Sequence, residues 1–241
     1  MLTHLTGNRL LDSLPPGDAS EIAQYLHDEH LPLKEVIYRS GDAIELVYFP
    51  VGAVLSVLAV MENGDAVEVA TIGLEGLSGS QLLFDARRMG RDMICQIEGD
   101  AKYMRRSDFL RFVDESSAFR QVVYAYTESL FNFMEQSIGC NRLHSLNERC
   151  ARWLLSTSDR AGADEYFLTQ EFLAIMLGTS RPAVTLAAGT LQQAGLIKYR
   201  RGALSILDRE GLEEASCECY AATVSSINRT IDKARMQPRL A

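Results

Sequence analysis

Between Thr169 and Leu207 the residues pass through a fixed succession of local signals that few folds accept. Thr169 is suited to cap a helix over Gln170 to Leu177, and Gly178 breaks it. Thr179 or Ser180 caps the next helix, with Pro182 in its first turn, where a missing N–H costs little. Ala183 through Ala194 continue that helix and Gly195 ends it. Leu196–Tyr199 and Ala203–Leu207 then read as two strands flanking Arg200-Arg201-Gly202. A short helix, a glycine turn, a longer helix and a basic-tipped ribbon predict a winged helix-turn-helix. The second helix of such a unit fits the major groove of a duplex.

Charge follows the same division. The whole chain carries -8, which argues against nonspecific binding of polyanions by the entire molecule. Residues 1–145 carry -9 and residues 146–241 carry +1. Within 178–209, Arg181, Lys198, Arg200, Arg201 and Arg209 face only Asp208. A local cationic patch on an otherwise acidic chain puts the cations where phosphates would sit.

The front half predicts short strands. A first helix is expected over Ala19 to His30, led in by Pro15-Pro16-Gly17-Asp18. Val36-Ile37-Tyr38, Leu46–Phe49, Val54–Met61, Val67–Ala70, Met93–Ile97 and Ala101–Met104 follow as strand-like runs. Ser40-Gly41-Asp42, Pro50-Val51-Gly52, Glu62-Asn63-Gly64-Asp65, Gly73–Gly76 and Glu98-Gly99-Asp100 punctuate them. Short strands at regular turn spacing imply a jelly-roll or small barrel. The uncharged stretch Leu46 to Met61 is 16 residues and contains Pro50 and Gly52, too short for a membrane span of roughly 20 apolar residues. With no signal-peptide pattern at the start, a cytoplasmic protein that does not enter a membrane is expected.

A long helix links the halves. Phe119, Val123, Tyr126, Leu130, Phe133, Ser137, Cys140 and His144 alternate gaps of four and three, the spacing of a heptad seam. Such a stripe seeks either a second copy of the helix or the chain's own barrel, and self-association is the reading adopted. His144 has no second histidine four residues away and is expected to be an ordinary interfacial residue. The five cysteines include no CxxC pair, and Cys217 and Cys219, two apart on a helix, would face different ways. Free thiols and no metal are expected.

With these segments in order, the chain resembles the Crp/Fnr transcription regulators. LTQEFLAIMLGTSRPAVTLAAGTLQQAGLIKYRRGALSIL is similar to their winged-helix domain, and YRSGD, VYFPVGAVLSV, NGD and VEVATIGLEG to their cyclic-nucleotide-binding-type β-roll. DREGLEEASCECY resembles an extension found in some branches. The resemblance implies an α+β chain: a jelly-roll-like sensor domain over 1–115, a dimerisation helix over 116–145, and a winged helix-turn-helix domain with a helical extension over 146–241. Phe119, Val123, Tyr126, Leu130 and Phe133 would form the dimer helix's contact.

It also implies roles toward double-stranded DNA. Ser180 would cap the recognition helix and touch a phosphate, and Thr169 and Gln170 would lie at a backbone contact. Arg181 would read guanine O6 and N7 with its guanidinium fork. Pro182, Ala183 and Leu186 replace the family's polar readers, so Ala183 and Leu186 would meet thymine methyls, and Thr185 would add a polar contact. Lys198, Arg200 and Arg201 would hold phosphates beside the groove. RNA polymerase is a further expected partner at bound DNA.

Cyclic-nucleotide binders of this fold use a Gly-Glu pair for the ribose and an arginine followed by a small hydroxyl residue for the phosphate. Here Gly73 is followed by Leu74, then Glu75 and Gly76, and Arg87 and Arg91 have no such neighbour. Asp92 beside Arg91 would repel a phosphate. A small-molecule effector held by Gly73, Glu75, Gly76, Arg87 and Arg91 is therefore expected not to be cyclic AMP, and no cofactor is indicated by the sequence. The first cysteine, Cys95, lies too far along for an N-terminal iron–sulfur cluster, and no motif indicates a heme.

Two rival functions are weighed against a DNA-binding regulator that is not an enzyme. One is a nucleotide-sensing module that controls a partner protein through the winged helix, suggested by the apolar Ala183 and Leu186. The other is a hydrolase using Ser78 in Gly76-Leu77-Ser78-Gly79-Ser80, a near miss to the nucleophile elbow that lacks its last glycine and its strand–turn–helix setting.

Overall fold

The computed structural model describes residues 6–236. The first helix is shorter than expected: α1 spans Pro16–Ala23, and His27–Leu31 is a strand, β1. The cause is tertiary. β1 pairs antiparallel with β7 (Gly99–Arg105), His27 opposite Tyr103, and Lys102 reaches Asp28 at 2.5 Å. Pairing of this kind overrides a helical pattern that is weak on its own.

Two antiparallel sheets build the roll. One has the order β1-β7-β3, with β3 at Leu46–Pro50. The other has the order β2-β6-β4-β5, with β2 at Val36–Tyr38, β4 at Val54–Val60, β5 at Ala66–Ile72 and β6 at Asp92–Ile97. The chain changes sheets at Glu98, and Gly99 passes so close to Gly52 and Ala53 that a Cβ would lie 2.6 Å from the Ala53 nitrogen. β4 is buried on both faces, which explains its unbroken apolar run. Leu55 and Val57 face the roll's core, whereas Val54 and Leu58 belong to the core of the helical half.

After α2 (Arg106–Glu115), Ser116 caps the long α3 (Ser117–Leu143) by accepting from the Phe119 amide. The stripe expected to face a second copy does something else. Phe119, Val123 and Tyr126 are buried in the roll's own core, Leu130 packs against it, and Phe133 lies 4.9 Å beneath the Arg160 guanidinium. The periodicity marked a buried face correctly and its partner wrongly. A different heptad-spaced set, Tyr124, Phe131 and Ile138, is left exposed, Ile138 at 72% and Phe131 at 49%, with the exposed Phe84 edge-on to Phe131.

A full capping box, Ser145 with Glu148, starts α4 (Leu146–Ala161). Beyond it lie β8 (Glu165–Phe167), α5 (Gln170–Leu177), α6 (Arg181–Gln193), β9 (Ile197–Arg200), β10 (Ala203–Ile206), α7 (Arg209–Glu214) and α8 (Cys219–Met236). The strand β8 is unforeseen; it makes the ribbon a three-stranded sheet of order β8-β10-β9. Helix α8 folds back along α3, and Cys217 precedes α8 rather than lying on it. Cys217 and Cys219 therefore converge instead of facing apart, and both are buried with Cys140. No single helix among the described residues is long and apolar enough to cross a membrane.

The helical half sits directly on the outer face of the four-stranded sheet. Trp153 Nε1 donates to Glu68 Oε1 at 2.9 Å, Ser56 Oγ donates to Glu68 Oε2 at 2.6 Å, and Gln96 Nε2 donates to Thr157 Oγ1 at 3.3 Å. Nearby, Arg160 Nε of α4 stands 3.0 Å from Glu75 Oε1, the pair 4% and 6% exposed. The contact is an ion pair without an aligned N–H, since that Nε has no hydrogen-bond partner.

Candidate nucleic-acid interface

Helix α5 begins where Thr169 Oγ1 accepts from the Phe172 amide at 3.1 Å, and its apolar face packs inward through Phe172, Leu173, Met176 and Leu177. Gly178 ends it in the left-handed region (φ 59°), where an L side chain is strained. The chain then bends by 102° into α6, within the range of helix-turn-helix pairs. Ser180 occupies the N-cap of α6, but its hydroxyl caps nothing. That leaves a free hydroxyl beside amide groups that favour an anion.

Helix α6 buries Val184, Ala187, Ala188 and Leu191 and turns a separate face outward. Arg181, Pro182, Thr185 and Leu186 are exposed on that face, Leu186 at 74%. Ala183 is half-buried, which limits its reach toward a base. Thr185 Oγ1 lies 2.8 Å from Gln170 Oε1 and 3.0 Å from the Arg181 carbonyl. Gln170 and Thr185, expected as separate contacts, are thus one unit that ties the two helices together.

The wing is a tight hairpin. Ala203 pairs with Arg200, so Arg201 and Gly202 form a two-residue turn with φ of 53° and 88°. Positive φ at both positions is the geometry that matches strand twist in such hairpins. A Cβ at Gly202 would lie 2.5 Å from the Phe167 ring, so the glycine also lets β8 seat beneath the tip. The Tyr199 amide donates to Gln192 Oε1 at 2.8 Å, which fixes the wing relative to α6.

Arg181, Lys198, Arg200 and Arg201 are all exposed, and none forms an ion pair among the described residues. Arg209 is different. It contacts Asp159, Asp164 at 3.3 Å and Glu213 at 3.2 Å, and belongs to the frame rather than the patch. Burial lowers its proton affinity, but the Asp159 contact more than offsets this and holds it charged.

The expected effector residues are not brought together. Glu75 is taken by Arg160, and Gly73 has Arg160 packed where a Cβ would be. Gly76 lies against the Tyr126 ring with no room for a side chain. Arg87 is exposed beside Asp85 and Arg91 is exposed near its own loop, away from this seam. The Gly73–Gly76 turn is a packing joint between roll, α3 and α4, filled by a side chain far along the sequence. Ser78 is wholly buried and its Oγ accepts the Tyr48 amide at 2.8 Å, so it fastens a loop to β3 and is not presented as a nucleophile.

Arg160 and Phe167, which shape the joint and the wing, carry no local signal in the sequence.

Residues 148–215 match the family described as the Crp-like helix-turn-helix domain. No curated protein sequence matches the chain. Among solved structures, FixK2 from Bradyrhizobium japonicum superimposes with a TM-score of 0.64 at 16% identity, covering 80% of this chain and 98% of that one. A CRP-family transcriptional regulator from Thermus thermophilus gives 0.65 at 16% identity, over 78% and 96%. The c-di-GMP responsive global regulator CLP of Xanthomonas campestris gives 0.63 at 14% identity, over 80% and 99%. At such identities these likenesses establish the fold.

Proposed function

We propose that this chain, of Crp/Fnr type by its fold and its helix-turn-helix domain, is a DNA-binding transcription regulator that works as a dimer in the cytoplasm. The observation that carries the reading is the set of exposed cations on α6 and the wing, Arg181, Lys198, Arg200 and Arg201, which form no ion pair among the described residues, in a chain of net charge -8. Side chains left without internal partners on a groove-sized helix are placed to meet phosphates and base edges.

The parts divide the work. Helix α6 enters the major groove, Arg181 reads a guanine, and Leu186 lies against a thymine methyl. Ser180, Gln170 and the wing hold phosphates and set register. The exposed Tyr124–Phe131–Ile138 stripe supports pairing of two α3 helices, which would carry two recognition helices to half-sites one turn apart. RNA polymerase would meet the protein at the bound site. No catalytic step is assigned to any residue.

Substitution separates helix from wing. Arg181→Ala is expected to cost about 1–3 kcal/mol on the preferred sequence and to relax preference at one base pair. Arg200→Ala with Arg201→Ala is expected to weaken all sequences alike and to reduce the salt slope by about 2. Fluorescence anisotropy over a salt series reads both. Identical behaviour of the two variants would remove the division of labour. Unchanged DNA binding in both would favour a second reading, suggested by the exposed Leu186, in which the winged helix docks on a protein.

A further inference from the structure

Three thiols and one imidazole from opposite ends of the helical half meet at the C-terminal end of α3. Cys140 and His144 stand four residues apart, so they share a face of the helix and its cap. Cys217 and Cys219 come from the turn that opens α8. Cys140 Sγ lies 3.5 Å from Cys217 Sγ, and Cys219 Sγ lies 3.5 Å from His144 Nδ1. All four ligand atoms fall within 4.8 Å of one another. A tetrahedral zinc ion with bonds of about 2.3 Å to sulfur and 2.0 Å to nitrogen spaces its ligands about 3.5–3.8 Å apart.

The surroundings match that geometry. His144 Nε2 stands 3.2 Å from the Glu218 carboxylate. A carboxylate there accepts a hydrogen bond from Nε2–H and fixes the tautomer that leaves Nδ1 free to ligate, the usual support for a metal-bound histidine. Gln136 Nε2 donates to Cys219 Sγ at 3.0 Å, which suits a thiolate. Arg152 is buried with its Nε unpartnered; burial pushes the Cys140 thiol up, and the Arg152 charge works against that larger effect. One divalent ion, three thiolates and a neutral imidazole carry a net charge of -1; the Glu218 carboxylate makes it -2, of which that guanidinium offsets one. An iron–sulfur cluster would interpose irons and sulfides between the thiolates, and the close approach of these ligand atoms suits a single ion. Thiolates also disfavour magnesium and calcium.

We propose that Cys140, His144, Cys217 and Cys219 bind one structural Zn2+ ion, which pins the start of α8 to the end of α3. Four protein ligands close the coordination sphere, so the ion holds structure and leaves no position for a substrate. Because α3 breaks at His144 and Ser145 before α4 begins, the ion fixes the joint from which the DNA-facing half departs. The proposal departs from the expectation of no metal and an ordinary histidine; all five cysteines are free of disulfide bonds.

The test uses the full chain purified under reducing conditions and dialysed without added metal. Elemental analysis is expected to find one zinc per chain. After removal with a chelator, Co2+ alone is expected to rebind at one equivalent, with the intense thiolate charge-transfer and visible bands of a tetrahedral site. Cys217→Ser and Cys219→Ser are expected to abolish stoichiometric metal, while Cys150→Ala, whose thiol is outside the cluster, keeps it. Glu218→Gln, an exposed change that leaves the fold intact, is expected to weaken metal binding about 10–100-fold. A parent chain that is folded by circular dichroism yet neither contains zinc nor takes up Co2+ would overturn the proposal. So would stoichiometric zinc that survives Cys219→Ser, or iron in place of zinc.

Discussion

Arg160→Met is expected to lower the free energy of unfolding by about 3–5 kcal/mol, because it leaves the Glu75 carboxylate buried without its counter-charge. The carboxylate is 6% exposed and lines a cavity of about 240 Å³ with Arg9, Asp159 and Arg209, and Arg160 is the cation that contacts it. The backbone tie from the Leu74 amide to the Arg160 carbonyl at 3.1 Å survives the substitution, so the joint stays closed over the stranded charge. Arg160→Met combined with Glu75→Leu is expected to recover most of the loss, since replacing both partners of a buried pair by apolar groups is often near neutral. Urea denaturation of the parent, both single variants and the double variant gives the coupling directly. A change in Arg160→Met within about 0.5 kcal/mol, the range of an ordinary surface substitution, would mean that Glu75 is hydrated and that the roll and α4 are apart in solution.

Phe131→Glu with Ile138→Glu is expected to convert a dimer to monomers and to weaken binding to a two-half-site duplex by about 10²–10⁴-fold, the loss of linked binding. Both side chains are exposed in the single chain, so the fold should persist. Charged groups facing their own copies across an apolar helix contact repel and lose water with no partner. Sedimentation velocity reads the assembly, and anisotropy reads the affinity. A monomeric parent, or a variant that stays dimeric, would show that the Tyr124–Phe131–Ile138 face is not the contact.

The parts of the chain that were legible in sequence are those fixed by neighbours. Gly178 in the left-handed region, Pro182 in a first helical turn and the Arg201-Gly202 turn each carry their own geometry, so α5, α6 and the wing were placed from local chemistry alone. The strands of the roll were legible for the same reason, through the turns between them. What failed needed a distant partner. His27–Leu31 became a strand only because β7 pairs with it. The stripe from Phe119 to Phe133 was apolar as read, but periodicity states that a face is covered and never by what. Glu75 resembles half of a ribose-binding pair until Arg160 is seen beside it. Locally, Cys217 and Cys219 read as residues of one helix and Cys140 as part of the stripe; only the fold brings α3 and the turn before α8 together.

The most direct test of the account is selection of duplexes from a random pool by the purified full chain, followed by affinity measurement across a salt series. The enriched sequences are expected to form an inverted repeat with half-site centres about 34–36 Å apart, and the logarithm of the affinity should fall linearly with the logarithm of salt concentration. A folded chain that enriches no sequence, or whose binding is indifferent to salt, would contradict it.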